Sequence, residues 1–227
     1  MLSFEDYLSE GVNDPSIFKA VFLAGGPGSG KSFMVGQTAL TALGFKLINS
    51  DPAFELALKK AGLTTSADDI ASTKGQSLRG KAKALVGKQL DIAIDGRLGL
   101  VIDGTGKDFN KIKQQADALR AIGYSVAMIF VNTDLETALE RNADRDRSLP
   151  DDMVKTMWKG VQNNIGKFQN YFASTFIVVD NSTGANYEGA GQAAYKKIAA
   201  WAKKYLWKIH ELKSGLMHRG ENNGRYI

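Results

Sequence analysis

The residues best suited to chemistry in this sequence form a glycine-rich run that ends in a lysine and a serine. Glycines at such spacing let consecutive backbone N–H groups converge on an anion, and the N-terminus of a following helix adds partial positive charge. We expect Lys31 to contact the β- and γ-phosphates of a nucleotide and Ser32 to ligate Mg²⁺. The run fits GxxxxGK[ST] without a mismatch, and we assign it, with the next residue, to ATP binding: Gly25, Gly26, Pro27, Gly28, Ser29, Gly30, Lys31, Ser32 and Phe33.

Two aspartates follow apolar segments that have the pattern of buried strands. Ligands of open α/β sheets bind outside the carboxyl ends of the strands, so both acids are candidates for the site. Asp51 follows Ile48 closely and is placed to accept a proton from an acceptor hydroxyl. The structural alternative is that Asp51 caps a helix beginning at Pro52.

Asp103 ends the second of these strands and resembles the acid that holds Mg²⁺ after a Walker B strand. Gly104 behind it allows a ligand to approach the backbone closely, and we assign Asp103 and Thr105 to substrate binding as well. The alternative is an ordinary turn carboxylate, because Asp-Gly is a common turn pair.

Three arginines, Arg141, Arg145 and Arg147, lie within seven residues ahead of Pro150. Arg141 and Arg145 are four apart and would share a face of a helix. A guanidinium group matches phosphate oxygens in shape and charge, so we predict that Arg141 and Arg145 stabilise a transferred phosphoryl group and that Arg147 contacts ATP. The alternative is a solvated face with Arg–Asp pairs.

The composition excludes most other kinds of catalytic and metal site. The 227 residues include no cysteine, which excludes disulfides, thiolate zinc sites and cysteine nucleophiles. The two histidines, His210 and His218, lie near the C-terminus and cannot form a triad in the body of the protein. No apolar stretch is long enough for a membrane span and the N-terminal segment is acidic, so we expect a cytoplasmic protein.

The elements that must position these residues alternate between strands and helices. Short apolar runs predict strands near 20–24, 45–48, 98–102, 125–131 and 176–179. Helical patterns follow the glycine-rich run and recur near 52–61, 78–94, 111–122 and 135–142, from 151 onward and before the C-terminus. This alternation predicts an α/β protein whose parallel five-stranded sheet is flanked by helices, a three-layer P-loop NTPase fold.

The motifs in this order resemble the zeta-toxin and polynucleotide-kinase-like branch of P-loop kinases. The resemblance rests on Gly25 to Ser32, Asn49-Ser50-Asp51, residues 101–105 and the arginine segment, and it spans roughly residues 18–182. It implies that Asp51 activates the acceptor hydroxyl and that the arginines form a lid over the phosphates of Mg-ATP. Short segments like Ser3 to Leu8 also resemble tailed-phage proteins, which implies host cytoplasm as the location.

From the residue patterns we expect an N-terminal arm at 1–17, a kinase domain at 18–210 and a flexible basic tail at 211–227. The resemblance leaves the acceptor open: a hydroxyl of a nucleic-acid end, nucleoside, nucleotide or nucleotide-sugar. Kinases of this branch usually carry a basic residue where this chain has Phe54. A nucleoside monophosphate kinase, an ATP-dependent switch and an assembly-associated protein remain alternatives. Basic windows beginning at Lys74 and Lys196 leave nucleic acid as a candidate partner, and no membrane partner is expected.

Overall fold

The fold was analysed in a computed structural model that describes residues 16–37, 40–144 and 148–204. Its centre is a five-stranded sheet in the order β2-β3-β1-β4-β5, in which every neighbouring pair is parallel. The strands are β1 (Lys19–Ala24), β2 (Lys46–Ile48), β3 (Leu100–Asp103), β4 (Ser125–Asn132) and β5 (Phe176–Asp180). The predicted parallel sheet of five strands is therefore confirmed.

Helices connect the strands, as parallel pairing requires. In the described residues they are α1 (Lys31–Gln37), α2 (Asp51–Lys60), α3 (Ala67–Ala71), α4 (Thr73–Asp95), α5 (Phe109–Ala121), α6 (Leu135–Ala143), α7 (Asp151–Gln162), α8 (Ile165–Phe172) and α9 (Tyr187–Ala202). Two short 3₁₀ helices cover Leu40–Leu43 and Ala173–Thr175.

Strand β1 lies at the centre of the sheet and all six of its residues are buried. Alternate side chains enter two different cores, because successive residues of a strand point to opposite faces. Phe22 packs in one core with α5 and α8, and Leu23 packs in the other with α1 and α9. The sheet thus has helices on both faces, and the glycine-rich loop begins directly after its central strand.

Helices α2 and α4 pack through a third, smaller apolar cluster. Phe54 and Leu58 of α2 are buried there against Ala82 of α4. Because α2 begins directly after the edge strand β2, this helix pair lies on the opposite side of the central strand from β4 and β5.

The structure refines the predicted elements at several points. Helix α4 begins earlier than its pattern indicated, and the short helix α3 lies in a segment for which no helix was predicted. Helix α8 was not predicted from the sequence. Residues 1–15 of the predicted arm, the whole predicted tail and the last six residues of the predicted domain lie outside the described residues. Within the described part of the chain, no helix combines the length and the apolarity that crossing a bilayer requires.

Candidate functional site

The glycine-rich loop connects β1 to α1 in a conformation that its glycines make accessible. Gly28 and Gly30 have φ angles of 72° and 88°, where a residue with a Cβ atom would be strained. A Cβ atom at Gly28 would lie 2.5 Å from the carbonyl oxygen of Ala138, and one at Gly30 would lie 2.4 Å from the side chain of Asn181. The loop is therefore packed closely against α6 and the end of β5.

Residues far along the chain hold the loop in this shape. The Asn181 side chain donates to the carbonyl oxygen of Ser29 at 2.8 Å, and the Tyr187 hydroxyl donates to that of Gly30 at 2.8 Å. The backbone N–H of Gly25 donates to the carbonyl oxygen of Thr105 at 3.2 Å. Sequence reasoning missed Asn181 and Tyr187. The one available signal was that Asn181 directly follows the last predicted strand.

Replacing Asn181 by alanine is expected to weaken ATP binding. Asn181 is 5% exposed, so its loss leaves the carbonyl of Ser29 without its buried donor, at a cost of about 1–3 kcal/mol. We expect a higher Kd for ATP and a lower unfolding temperature, measured by titration and thermal unfolding. Asn170→Ala, at an exposed position of α8, is the matched control. Unchanged ATP affinity in the Asn181 variant would contradict the supporting role.

The loop brings one cationic group and one hydroxyl group into the site. The ammonium group of Lys31 donates to the carbonyl oxygens of Gly25 and Gly26 at 2.7 and 3.2 Å. Ser32 is exposed in the first turn of α1. Beside it Phe33 is 45% exposed, and its ring centroid lies 5.2 Å from that of Tyr187.

Asn49 connects the two aspartates of the site. Its amide nitrogen donates to Oδ2 of Asp103 at 2.8 Å, and its amide oxygen accepts the backbone N–H of Asp51 at 2.8 Å. The residue before helix α2 is Ser50, and its side chain makes no capping hydrogen bond. Asp51 is the first helical residue and is exposed, so the capping role considered for it does not occur.

The carboxyl group of Asp103 lies in an environment that disfavours its charge. Burial raises the pKa of Asp103 above its ordinary value, the Asp51 carboxylate raises it further, and the Lys31 ammonium lowers it. The structure therefore brings Lys31, Asp51 and Asp103 within electrostatic range of one another. Among the described residues, two buried side-chain polar atoms make no hydrogen bond, Asp103 Oδ1 and Ser29 Oγ. Both belong to this site.

Asp103→Asn is expected to stabilise the protein in the absence of ligands. Because the pKa of Asp103 is raised in the folded state, its carboxylate lowers the free energy of unfolding at a pH above that pKa. This destabilisation disappears as the pH falls below the ordinary aspartate pKa of 3.8. The variant should therefore unfold at a higher temperature than the native protein near pH 7. Thermal unfolding from pH 3.5 to 8 without nucleotide checks this, and a difference that does not shrink toward low pH would contradict it.

Arg141 lies on the other side of the loop from Asp51. Its guanidinium group donates to the carbonyl oxygen of Asn181 at 2.9 Å, which ties α6 to the residue that holds the loop. Arg145 and Arg147 lie outside the described residues, so their predicted contacts with phosphate remain predictions. Thr105 is half-buried behind Asp103, and its carbonyl contacts Gly25.

The donors present fit a magnesium ion that also has phosphate ligands. No group of three or more His, Cys, Asp or Glu side chains able to hold a metal occurs in residues 16–37, 40–144 and 148–204. The Ser32 hydroxyl and the unpaired Oδ1 of Asp103 are oxygen donors, which Mg²⁺ prefers, and Mg²⁺ at such sites takes only one or two protein ligands.

The comparisons with known proteins identify a family for this chain. A model of the AAA_33 family, described as an AAA domain, matches residues 21–163. That range contains the glycine-rich loop, both aspartates and all three arginines. No curated protein sequence matches the chain.

Several solved structures share the fold at low sequence identity. The PezAT toxin–antitoxin system of Streptococcus pneumoniae matches at TM-score 0.54 and 15% identity, over 89% of this chain and 93% of that one. The AvrRxo1-ORF1:AvrRxo1-ORF2 complex matches at TM-score 0.56 and 15% identity, over 78% of this chain and 62% of that one. The Pnkp1/Rnl/Hen1 RNA repair complex matches at TM-score 0.52 and 17% identity, over 67% of this chain and 46% of that one. The last two matches thus span less than two thirds of those chains.

Proposed function

The chain belongs to the AAA domain family AAA_33, and we propose that it transfers the γ-phosphoryl group of Mg-ATP to a hydroxyl group of an acceptor. The observation that carries this proposal is the position of Asp103. Its carboxyl group, with one unpaired oxygen, lies within electrostatic range of both Lys31 and Asp51. A phosphate-binding lysine, an acid for the metal and an exposed acid for the acceptor are the groups that phosphoryl transfer needs.

In the proposed reaction Asp51 acts as the base. Its carboxylate accepts the proton of the acceptor hydroxyl while that oxygen forms a bond to the γ-phosphorus. The bond from the γ-phosphorus to the bridging oxygen breaks, and ADP leaves with that oxygen. Asp51 suits this role because it is exposed and its backbone is fixed through Asn49 to the Asp103 carboxylate.

Lys31 and Arg141 would stabilise the charge of the phosphates. The Lys31 ammonium exchanges the carbonyl oxygens of Gly25 and Gly26 for β- and γ-phosphate oxygens when ATP binds. Arg141 is held by Asn181 on the β4–β5 side of the loop, opposite to Asp51. An exposed aromatic ring, Phe33, offers a stacking surface for the nucleotide base.

Magnesium would be held by Ser32 and Asp103, together with phosphate oxygens. Bound there, it supplies positive charge against the charge that develops on the transferred group. Asp103 is suited to this role because its buried, unpaired oxygen gains a ligand, which offsets the desolvation that raises its pKa.

The acceptor is proposed to be a nucleic-acid end, nucleoside, nucleotide or nucleotide-sugar. One structure with this fold is named as an RNA repair complex and another as a toxin–antitoxin system, so acceptors of both kinds belong in the test.

The test incubates the full chain with γ-labelled ATP and Mg²⁺ against a panel of acceptors. The panel holds 5′-hydroxyl oligonucleotides, nucleosides, nucleoside monophosphates and UDP-sugars. We expect label on one acceptor class, with omission of Mg²⁺ abolishing it. Label transferred to the phosphate of a nucleoside monophosphate would instead identify a nucleoside monophosphate kinase. Free phosphate alone across the panel would replace the kinase by an ATP-dependent switch.

A further inference from the structure

A guanidinium group lies close to the proposed base without belonging to the glycine-rich loop or the arginine segment. Arg79, on helix α4, places its guanidinium carbon 5.7 Å from the centroid of the Phe54 ring. Phe54 is three residues after Asp51 on α2, so about 4.5 Å separates the two residues along the helix axis. The Arg79 cation therefore packs against the first turn of α2, the turn that begins with Asp51.

The position of Arg79 is fixed by packing rather than by a charge partner. Phe54 is 1% exposed and packs in the cluster that joins α2 to α4, so the ring is a rigid platform for the cation. Within the described residues no carboxylate forms a salt bridge with Arg79. The planar guanidinium group has N–H donors in a fork that suits bidentate contact with an anion.

Several other charged side chains of α2 and α4 are placed differently from Arg79. Lys74 donates to the carbonyl oxygen of Ala61 and is thereby directed toward the end of α2 distant from Asp51. Lys81 and Lys83 are exposed, whereas Arg79 is half-buried beside α2. Glu55 is the other acid of α2 and is exposed. Arg79 is thus a basic side chain of α4 that packs against the ring of Phe54, three residues after Asp51.

We infer that Arg79 binds a phosphate group of the acceptor, so that the substrate is an alcohol that already carries a phosphate ester. Nucleotides, nucleic-acid ends and nucleotide-sugars have this chemistry, and free nucleosides and sugars do not. This inference rests on the proposed function, because it takes Asp51 as the base that faces the acceptor hydroxyl. In this proposal the acceptor site lies on α2 and α4, apart from the proposed nucleotide site that contains Lys31 and Arg141.

The test measures equilibrium binding and needs no turnover. The full chain is saturated with Mg²⁺ and the β,γ-imido analogue of ATP, which blocks the nucleotide site. Pairs of probes that differ only by phosphate are then titrated: nucleoside 3′-monophosphates against nucleosides, and sugar 1-phosphates against the free sugars. The variants are Arg79→Gln, Arg79→Lys and, as a matched control on an exposed position of the same helix, Lys81→Gln.

For at least one pair we expect the phosphorylated probe to bind about tenfold tighter or more. Arg79→Gln should abolish that preference, Arg79→Lys should retain part of it and Lys81→Gln should retain all of it. Unchanged affinity for the ATP analogue shows that the variants are folded. Equal binding within every pair, no binding of any probe, or a preference that survives Arg79→Gln would overturn the inference.

The same variants separate this inference from the proposed function. Label transfer that occurs with no dependence on the acceptor phosphate or on Arg79 would overturn the inference and leave the kinase intact. A phosphate preference lost in Arg79→Gln, in a protein that transfers label to none of the panel, would support the anion site and overturn the kinase.

Discussion

Replacing Lys31 by methionine is expected to lower kcat/KM for phosphoryl transfer by about 10²–10³-fold, the loss typical for one preorganised charge-stabilising donor. The variant removes the ammonium group that now contacts the carbonyl oxygens of Gly25 and Gly26 and that is expected to contact the phosphates. It also removes the cation that lowers the pKa of Asp103, so that pKa should rise further. Initial rates at varied ATP concentration measure the loss.

The control is Lys197→Met, which removes an exposed lysine of α9 from the opposite face of the sheet to helix α4. We expect its rate constants to match those of the native protein. A Lys31 variant whose kcat/KM stays within threefold of the native value would show that the glycine-rich loop does not bind the transferred phosphate. The nucleotide site would then have to be sought elsewhere in the fold.

Asp51→Asn is expected to lower kcat by about 10²–10⁴-fold, the range for loss of a general base. The substitution is nearly isosteric, and the backbone N–H of Asp51 still donates to Asn49. Asp51 begins α2 and makes no hydrogen bond to the glycine-rich loop in the described network, so the Kd for ATP should stay unchanged. Single-turnover transfer and equilibrium ATP binding measure the two quantities.

Glu55→Gln is the matched control for this prediction, since it neutralises an exposed acid of the same helix about one turn further along. It should retain native kcat. A large fall in kcat for both variants would assign the effect to the net charge of α2, and native kcat in Asp51→Asn would remove this residue from the catalytic set.

Local sequence patterns predicted the sheet because its strands are short apolar runs buried on both faces. The run that forms β1 is fully buried, and β4 is buried along most of its length, so neither needed an alternating pattern to be recognised. Helix α8 escaped prediction because it is only eight residues long and begins shortly after α7 ends. Its position depends on Phe168 and Phe172, which are buried by contacts with distant elements.

The motif residues could be identified from the sequence because their close spacing along the chain indicates their function. Lys31 and Ser32 follow the glycines directly, and the two aspartates follow their strands. The residues that support them have no such local signal. Asn181 contacts Ser29 across 152 residues, and Tyr187 contacts Gly30 across 157, so only the folded chain shows these pairs.

Arg79 illustrates the same limit for the acceptor side. In the sequence it is one of several basic residues in a helical segment, and charge alone does not distinguish it from Lys81 or Lys83. Its neighbour Phe54 is 25 positions earlier in the chain, and the stacking depends on how α2 packs against α4. Long-range packing, rather than residue type, selects this cation.

The most direct test of the central claim is the balance of products in a single incubation with Mg-ATP and an acceptor of the panel. Mass spectrometry and phosphate assay would count ADP, phosphorylated acceptor and free phosphate. A kinase yields one phosphorylated acceptor per ADP, with both lost together in Asp51→Asn. ADP matched by free phosphate, at a rate independent of the acceptor and of Asp51, would contradict the account.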